Sequence, residues 1–122
     1  MRNTQSQTIY MSETNVQKKV ARLVKEELSM ILSGSLNYFK GSLLTVTVVR
    51  MTGDLSIARV YISILPESKL EEAIETLNEN SWEVRKALSA RIRNKLKKMP
   101  ELRFFGDDSH KQYERIEELL ND

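Results

Sequence analysis

The feature that most constrains this chain is a basic segment, residues 85–98, whose apolar residues recur with the period of an α-helix. The segment contains seven basic residues and no acidic one. Its apolar stripe, with a residue at every third or fourth position, is formed by Val84, Leu88, Ile92, Leu96 and Met99. We therefore predict an amphipathic helix that begins near Ser81, is stopped by Pro100, and presents its cations to solvent.

The cations of this segment indicate an anionic partner. No carboxylate within the segment can pair with them, and like charges held close together repel one another. Residues 85–103 carry 8 basic and 1 acidic side chains, although the net charge of the whole chain is only +2. A solvated helix face is the usual explanation of a charged run, but so concentrated a charge favours a polyanion. Lys95 is the exception, because it points into the apolar arc and would have to extend back to water. The predicted phosphate contacts, here called the basic strip, are Arg85, Lys86, Arg91, Arg93, Lys97 and Lys98.

A second amphipathic helix is expected over residues 15–32, capped by Thr14 or Asn15. Gly34 is expected to end it in the left-handed conformation. The predicted buried face consists of Val16, Val20, Leu23, Val24, Leu28, Ile31 and Leu32. A second basic stripe, diluted by neighbouring glutamates, is predicted to assist binding and consists of Lys18, Lys19, Arg22 and Lys25.

Two segments rich in β-branched residues, 43–51 and 56–65, predict an antiparallel hairpin with one solvent-exposed face. The turn between them suits Asp54, and Gly53 would supply a positive φ if the turn needs one. In the first strand, simple alternation places Leu44, Val46 and Val48 on one side and Thr45, Thr47 and Val49 on the other. In the second strand, the predicted core residues are Ala58, Val60, Ile62 and Ile64.

The next part of the chain predicts a short acidic helix before the basic one. Ser68 and Glu71 have the form of a capping box. Asn80 together with Glu83, or Ser81 alone, would cap the basic helix. The buried side of the acidic helix is predicted to be Leu70, Ala73, Ile74 and Leu77.

A third strand is expected at residues 101–105. Because it follows two helices, its connection is a crossover, and it can lie parallel to a neighbour. The whole order predicts an α+β domain over residues 14–106, with helices on one face of a small mixed three-stranded sheet.

The polar residues 1–13 are expected to be disordered, and Met11 has the form of a second start, which would make the residues before it an upstream extension. Residues 107–122 are expected to form an acidic C-terminal helix or tail.

The composition argues against an enzyme. The chain has no cysteine, so thiol chemistry, disulfides and thiolate metal sites are excluded. His110 is the only histidine and is expected at the surface, and the four glycines are too scattered to form a phosphate loop. We expect no cofactor, no metal and no small-molecule substrate. No apolar run approaches the length of a membrane span, and no signal-type segment begins the chain, so a cytoplasmic protein is expected.

The aromatic residues favour recognition of folded RNA over the reading of an unpaired strand. Proteins that bind single strands present stacking platforms, often on a sheet. Here only Tyr61 is expected in such a place, with Phe104 and Phe105 divided between core and surface. Trp82 is interpreted as a packing anchor rather than as an exposed stacking residue. Binding through backbone charge and shape fits this pattern.

Several segments, taken in order, carry a resemblance to a known family. They are Leu44-Thr-Val-Thr-Val48, Thr52-Gly-Asp-Leu-Ser-Ile-Ala-Arg-Val-Tyr61, Val84-Arg85 and Lys98-Met-Pro-Glu-Leu-Arg-Phe-Phe-Gly-Asp-Asp-Ser109. The last contains a Pro-x-Leu-x-Phe signature. Together they resemble the ribosome-binding factor A family of bacterial small-subunit maturation factors, over about residues 14–120.

The resemblance implies a KH-like fold of type II, in the order helix-strand-strand-helix-helix-strand. It implies a cytoplasmic factor that binds the free 30S ribosomal subunit through the 5′-end region of 16S rRNA. We expect this factor to be a monomer. It also implies support of late rRNA processing and of growth in the cold. The family's interhelix kink, Ala-x-Gly, aligns with Asn80-Ser81-Trp82, which places Asn80 and Ser81 among the expected RNA-binding residues.

Two other classes of protein remain open on the residues alone. One is a protein–protein adaptor whose basic helix meets an acidic partner without touching RNA. The other is a small enzyme that acts on nucleotides or RNA, which the composition disfavours.

Overall fold

The computed structural model describes residues 13–107. Within them the order is α1 (Asn15–Ser33), β1 (Leu43–Met51), β2 (Ile57–Leu65), α2 (Leu70–Glu79), α3 (Ser81–Ile92) and β3 (Glu101–Gly106), with a short 3-10 turn at Glu67–Lys69. The strands form one sheet in the order β1-β2-β3. β1 and β2 are antiparallel, whereas β2 and β3 are parallel because α2 and α3 form the crossover between them. The predicted α+β arrangement and order of elements are confirmed.

The core lies between one face of the sheet and the three helices of the described region. All four predicted core residues of β2 are buried, and β3 contributes Leu102 and Phe104. Most of the predicted face of α1 is also buried, together with Ala21. Val16 is an error of that prediction, because it lies in the first helical turn and its side chain is 57% exposed. The core residues from helices are Val20, Ala21, Val24, Leu28, Ile31, Leu32, Ala73, Leu77, Val84, Leu88 and Ile92.

The predicted alternation along β1 is wrong after Val46. The register with β2 shifts between Val46 and Val48, so that Thr47 is an extra residue of a β-bulge. Its hydroxyl donates a hydrogen bond of 3.2 Å to the carbonyl oxygen of Tyr61. Since side chains alternate with a period of two, one inserted residue reverses every later position. Val49 and Met51 are therefore buried, while Val48 faces outward.

The turn between β1 and β2 confirms the prediction for Asp54 but not for Gly53. The positive φ, 61°, belongs to Leu55, and that of Gly53 is not positive. The Asp54 carboxylate accepts hydrogen bonds from the Ser56 hydroxyl at 2.7 Å, the Thr52 hydroxyl at 2.8 Å and the Ser56 backbone N–H at 3.1 Å. These bonds, that of the Ser56 hydroxyl first, lower the pKa of Asp54 to about 2.

At the ends of α1, the predicted N-cap is confirmed and the predicted left-handed glycine is wrong. Thr14 is the N-cap, and it forms a reciprocal capping box with Gln17. Gly34 is not left-handed, since its φ is −121° and its ψ is −102°. Glycine is needed there for another reason: a Cβ atom would lie 2.9 Å from the carbonyl oxygen of Met30.

Neither predicted side-chain cap of α2 or α3 is formed, although Asn80 does occupy the N-cap position of α3. The 3-10 turn runs directly into α2, so Ser68 makes no cap, and Lys69 at the N-cap position has no side-chain hydrogen bond. The Asn80 side chain donates to the carbonyl oxygen of Thr76 at 2.8 Å, and therefore binds the end of α2 rather than the start of α3. The break between the helices is nevertheless present at Asn80.

The basic helix is shorter than predicted. α3 ends at Ile92, and a turn follows in which the Lys95 N–H donates to the Ile92 carbonyl oxygen at 2.8 Å. A continued helix would have aimed Lys95 into the apolar arc, but the turn leaves its side chain exposed. Leu96 and Met99 still pack against the core as half-buried residues. The predicted helix near Ser109 and the surface position of His110 lie outside the described residues, as do residues 1–12.

The free edge of β3 is covered by one side chain of α2. Asn78 donates from Nδ2 to the Phe104 carbonyl oxygen and accepts from the Phe104 N–H at Oδ1, both at 2.9 Å. The amide therefore supplies both bonds that a further strand would make with this residue. It also fixes α2 against β3 at the position of the buried Phe104.

We predict that Asn78→Ala lowers the free energy of unfolding by about 1–2 kcal/mol, because both backbone groups of Phe104 lose their partner. Urea denaturation followed by circular dichroism measures this change. Glu79→Ala is the matched control, since Glu79 is the exposed neighbour on the same helix. Equal stability of the two variants would show that the edge contact contributes nothing.

Candidate nucleic-acid interface

The basic strip lies on α3 and on the segment that follows it, and α3 is held firmly by its opposite side. Val84 and Leu88 are 0% exposed and Ile92 is 1% exposed, so α3 cannot roll without opening the core. Within the described residues, the side chains of Lys86, Arg93, Lys97 and Lys98 are exposed and make no hydrogen bond or ion pair with another described residue. Their charges therefore face solvent.

Arg85 differs from the rest of the strip. Its side chain is half-buried, with Nε donating to the Pro100 carbonyl oxygen at 3.0 Å and Nη2 donating to the Met99 carbonyl oxygen at 2.9 Å. These bonds tie α3 to the segment that leads into β3. Arg85 therefore positions the strip as well as adding charge to it.

Arg91 is paired with a carboxylate that lies outside the basic segment. Its Nε forms an ion pair with Glu27 of α1, and its Nη2 lies 3.6 Å from the Met30 sulfur. Glu27 lies 64 residues away from Arg91 in the chain, so the absence of carboxylates from residues 85–98 gives no sign of this pair. The charge of Arg91 is partly neutralised, and its role as a phosphate contact is weakened accordingly.

Trp82 is exposed, which corrects its interpretation as a packing anchor. Its side chain is 69% exposed, and Lys86 Nζ lies 5.3 Å from the ring centroid, within the range of a cation–π contact. The indole forms one end of an open groove of about 570 Å³ between α3 and the segment after it. The groove is lined by Trp82, Arg85, Lys86, Ser89, Ala90, Arg93 and Met99.

The first turn of α3 also anchors the loop that follows α1. The Tyr38 hydroxyl donates to Glu83, and burial together with the hydrogen bond and charge of Glu83 raises the pKa of Tyr38 to about 12. Tyr38 therefore stays protonated across the physiological range. The contact ties the α1–β1 loop to the first turn of α3.

The second basic stripe does not continue the basic strip. All four of its residues are exposed on α1. Three of them line a shallow hollow with Thr47, Val48 and Val49 at the β1 edge, and these are Lys18, Arg22 and Lys25. Lys97 and Lys98 instead share a hollow with Val16 and Val20 at the start of α1. The cations therefore form separate surfaces on either side of α1.

The predicted junction residues lie between α2 and α3. Asn80 and Ser81 are both half-buried, and the Asn80 amide is already bonded to Thr76. Neither residue lines the groove, although Trp82, which follows Ser81 in the chain, does.

Neither a metal site nor a membrane helix is found in residues 13–107. No group of three or more His, Cys, Asp or Glu side chains there is placed to hold a metal ion. No helix in this part of the chain combines the length and apolar character needed to cross a membrane.

Comparison with known proteins identifies the family. The model of the family described as ribosome-binding factor A matches residues 16–120. The chain is 43% identical over 112 residues to ribosome-binding factor A of Christiangramia forsetii, covering 90% of this chain and 86% of that protein. It is 46% identical over 103 residues to the same factor of Chlorobaculum tepidum, covering 84% and 85% of the two chains.

Solved structures have the same fold. The crystal structure of ribosome-binding factor A from Thermus thermophilus superposes with a TM-score of 0.63 at 24% identity, covering 74% of this chain and 94% of that one. A Thermus thermophilus homology model, fitted into a cryo-EM map of a complex of that factor with the 30S subunit, superposes with a TM-score of 0.54 at 26% identity, covering 77% and 93%. The KH-like fold of type II implied by the resemblance is thus confirmed, and the chain belongs to the ribosome-binding factor A family.

Proposed function

We propose that this protein is a maturation factor that binds the free 30S ribosomal subunit through 16S rRNA, with the exposed cations of α3 and the following turn as its main contact. The observation that carries the proposal is the contrast between the two sides of α3. One side is fully buried, while Lys86, Arg93, Lys97 and Lys98 face solvent without a carboxylate partner in the described region. A rigid row of cations is suited to a phosphate backbone.

The related proteins support the choice of the small subunit as the partner. The names of the relatives describe ribosome-binding factors, and the Thermus thermophilus model was fitted into a map of a complex with the 30S subunit. By this relationship we infer that the present chain acts as a monomer in the cytoplasm. We infer further that it contacts the 5′-end region of 16S rRNA and supports late rRNA processing and growth in the cold.

The residues divide into direct contacts and supporting ones. Lys86 and Arg93 would hold phosphates of folded RNA along the groove that they line together with Trp82. Arg85 would act mainly by holding the strip in place, and Asn80 and Ser81 by setting the angle between α2 and α3. Arg91 and the α1 residues Lys18, Lys19, Arg22 and Lys25 would add secondary contacts. The unit that binds is residues 14–106, and its action is binding rather than catalysis.

We predict that the double charge reversal Arg93→Glu/Lys97→Glu reduces binding to purified small subunits at least tenfold. Engagement of about five phosphates gives a log–log salt slope of roughly −3.5 to −4.5, and losing two of them should flatten it by roughly 1.5. Binding is measured by sedimentation or fluorescence anisotropy between 50 and 200 mM salt, roughly the range over which such contacts weaken. The melting temperature should not change, because both side chains are exposed.

Lys40→Glu/Lys69→Glu is the matched control, since it makes the same change in net charge at two exposed lysines away from the strip. Unaltered binding of the Arg93/Lys97 variant, or an equal loss in the control, would contradict the proposal. Treatment of the complex with RNase separates it from the adaptor alternative, because an adaptor would keep its protein partner.

We predict that Arg85→Met mainly lowers the stability of the fold, whereas Lys86→Met mainly weakens RNA binding. Arg85→Met should lower the free energy of unfolding by about 1–2 kcal/mol, because two backbone carbonyls lose a charged donor. Lys86→Met should leave stability unchanged and reduce the salt slope by roughly 0.7–0.9, as expected for one phosphate. Urea denaturation and salt-dependent binding measure the two effects. A reduced slope with normal stability in Arg85→Met would instead make Arg85 a direct phosphate contact.

A further inference from the structure

The face of the sheet opposite the helices carries two ordered rows of side chains. In one row Arg50 of β1 is paired with Arg59 of β2, which is in turn paired with Arg103 of β3. In the adjacent row the register aligns Val48, Tyr61 and Phe105. Arginines thus cross all three strands immediately beside two aromatic rings.

The β-bulge at Thr47 is what completes these rows. The register shift occurs between Val46 and Val48, so every later residue of β1 changes face. Without it Arg50 would point into the core and Val49 would point outward. With it Val49 is buried and Arg50 is exposed beside Arg59. The β-bulge therefore places Arg50 on the open face, as the third arginine beside Arg59 and Arg103.

The two rings form a continuous aromatic surface. The centroids of Tyr61 and Phe105 are 5.5 Å apart with an interplanar angle of 30°. Phe105 is 39% exposed and Tyr61 is half-buried. Aromatic side chains on neighbouring strands are the usual platform on which proteins stack unpaired bases.

The charges of the open face are available to an anion. Arg59 is exposed and makes no hydrogen bond or ion pair with another residue of the described range. Arg50 lies 3.6 Å from Glu13, and Arg103 lies 2.8 Å from Glu101, with both arginine side chains more than half exposed. Ion pairs between exposed side chains are weak and can be exchanged for a phosphate.

We propose that this open sheet face is a second RNA site, which binds a short unpaired segment. Two bases stack on Tyr61 and Phe105, and the phosphates between and beside them lie against Arg59, Arg103 and Arg50. The site is separated from the basic strip by the thickness of the sheet and its helical layer. The protein can therefore hold structured RNA on the helical side and a single strand on the other, and either site can fail without the other.

RNA is the occupant that the charges favour over another protein. Exposed Leu43 and Leu65 do pair at the far end of the same face. They are separated from the rings by the polar pair Thr45 and Ser63, so they do not extend the aromatic surface. The row directly beside the rings is made of arginine, which suits phosphate together with a π-system.

The proposal is tested with the full chain and a fluorescent single-stranded RNA, uridine octamer, against an RNA hairpin. Tyr61→Leu/Phe105→Leu keeps the apolar area but removes both rings, and it should weaken octamer binding at least tenfold while hairpin binding stays within twofold. Arg59→Gln should weaken the octamer alone. Arg93→Glu/Lys97→Glu should have the reverse pattern, and Leu43→Ala/Leu65→Ala should affect neither RNA.

Equal octamer binding by the ring variant and the natural protein would overturn the proposal, as would a parallel loss of both RNAs in a variant that melts normally. Photo-crosslinking of the unaltered chain to an octamer containing 5-iodouridine needs no variant to fold. Crosslinks at Tyr61 or Phe105 support the site, and crosslinks confined to Trp82 refute it. Capture of a protein partner through Leu43 and Leu65, without octamer binding, would also refute it.

Discussion

Burial of one side of α3 is the constraint on which the rest of this structure depends. Val84, Leu88 and Ile92 are fully enclosed between α1, α2 and the sheet, and so they fix the rotation of the helix about its own axis. Once that rotation is fixed, Lys86 and Arg93 must point to solvent. The hydrogen bonds from Arg85 to the segment before β3 then fix how far the turn carrying Lys97 and Lys98 lies from the helix. Packing of the buried side of α3 therefore holds the exposed cations in a fixed arrangement.

The topology of the sheet likewise determines which side chains lie on the face opposite the helices. A parallel β3 is delivered to the edge of the hairpin by the α2–α3 crossover, and Asn78 covers the edge that this leaves free. The alternation of β2 and β3 sends Val60 and Phe104 inward and Arg59 and Phe105 outward. A small domain of this kind has only one core, and in residues 13–107 both the helical layer and the sheet carry exposed side chains on their outer faces.

Local patterns in the sequence are sufficient for the order of elements, the core face of β2 and most of α1, because each depends on the period of a single segment. What the sequence does not show depends on distant partners. An alternating pattern does not reveal the bulge at Thr47. The ion pair of Arg91 joins residues of two different helices. The end of α3 at Ile92 is a turn that no proline or glycine marks. Large aromatic side chains are usually buried, which favours an interior position for Trp82, yet the core at that end is already filled by Leu77 and Val84. The sequence thus identifies the individual aromatic and basic residues, but it does not show which of them lie together on one surface.

The central claim is that the outward cations of α3 and its following turn meet the RNA of the small subunit. Lysine footprinting tests it most directly: the full chain is acetylated with and without purified 30S subunits, and the modified positions are read by mass spectrometry. We expect Lys86, Lys97 and Lys98 to become protected in the complex, while the exposed Lys40 and Lys69 stay reactive. Unchanged reactivity at Lys86, Lys97 and Lys98 in a complex that demonstrably forms would contradict the account.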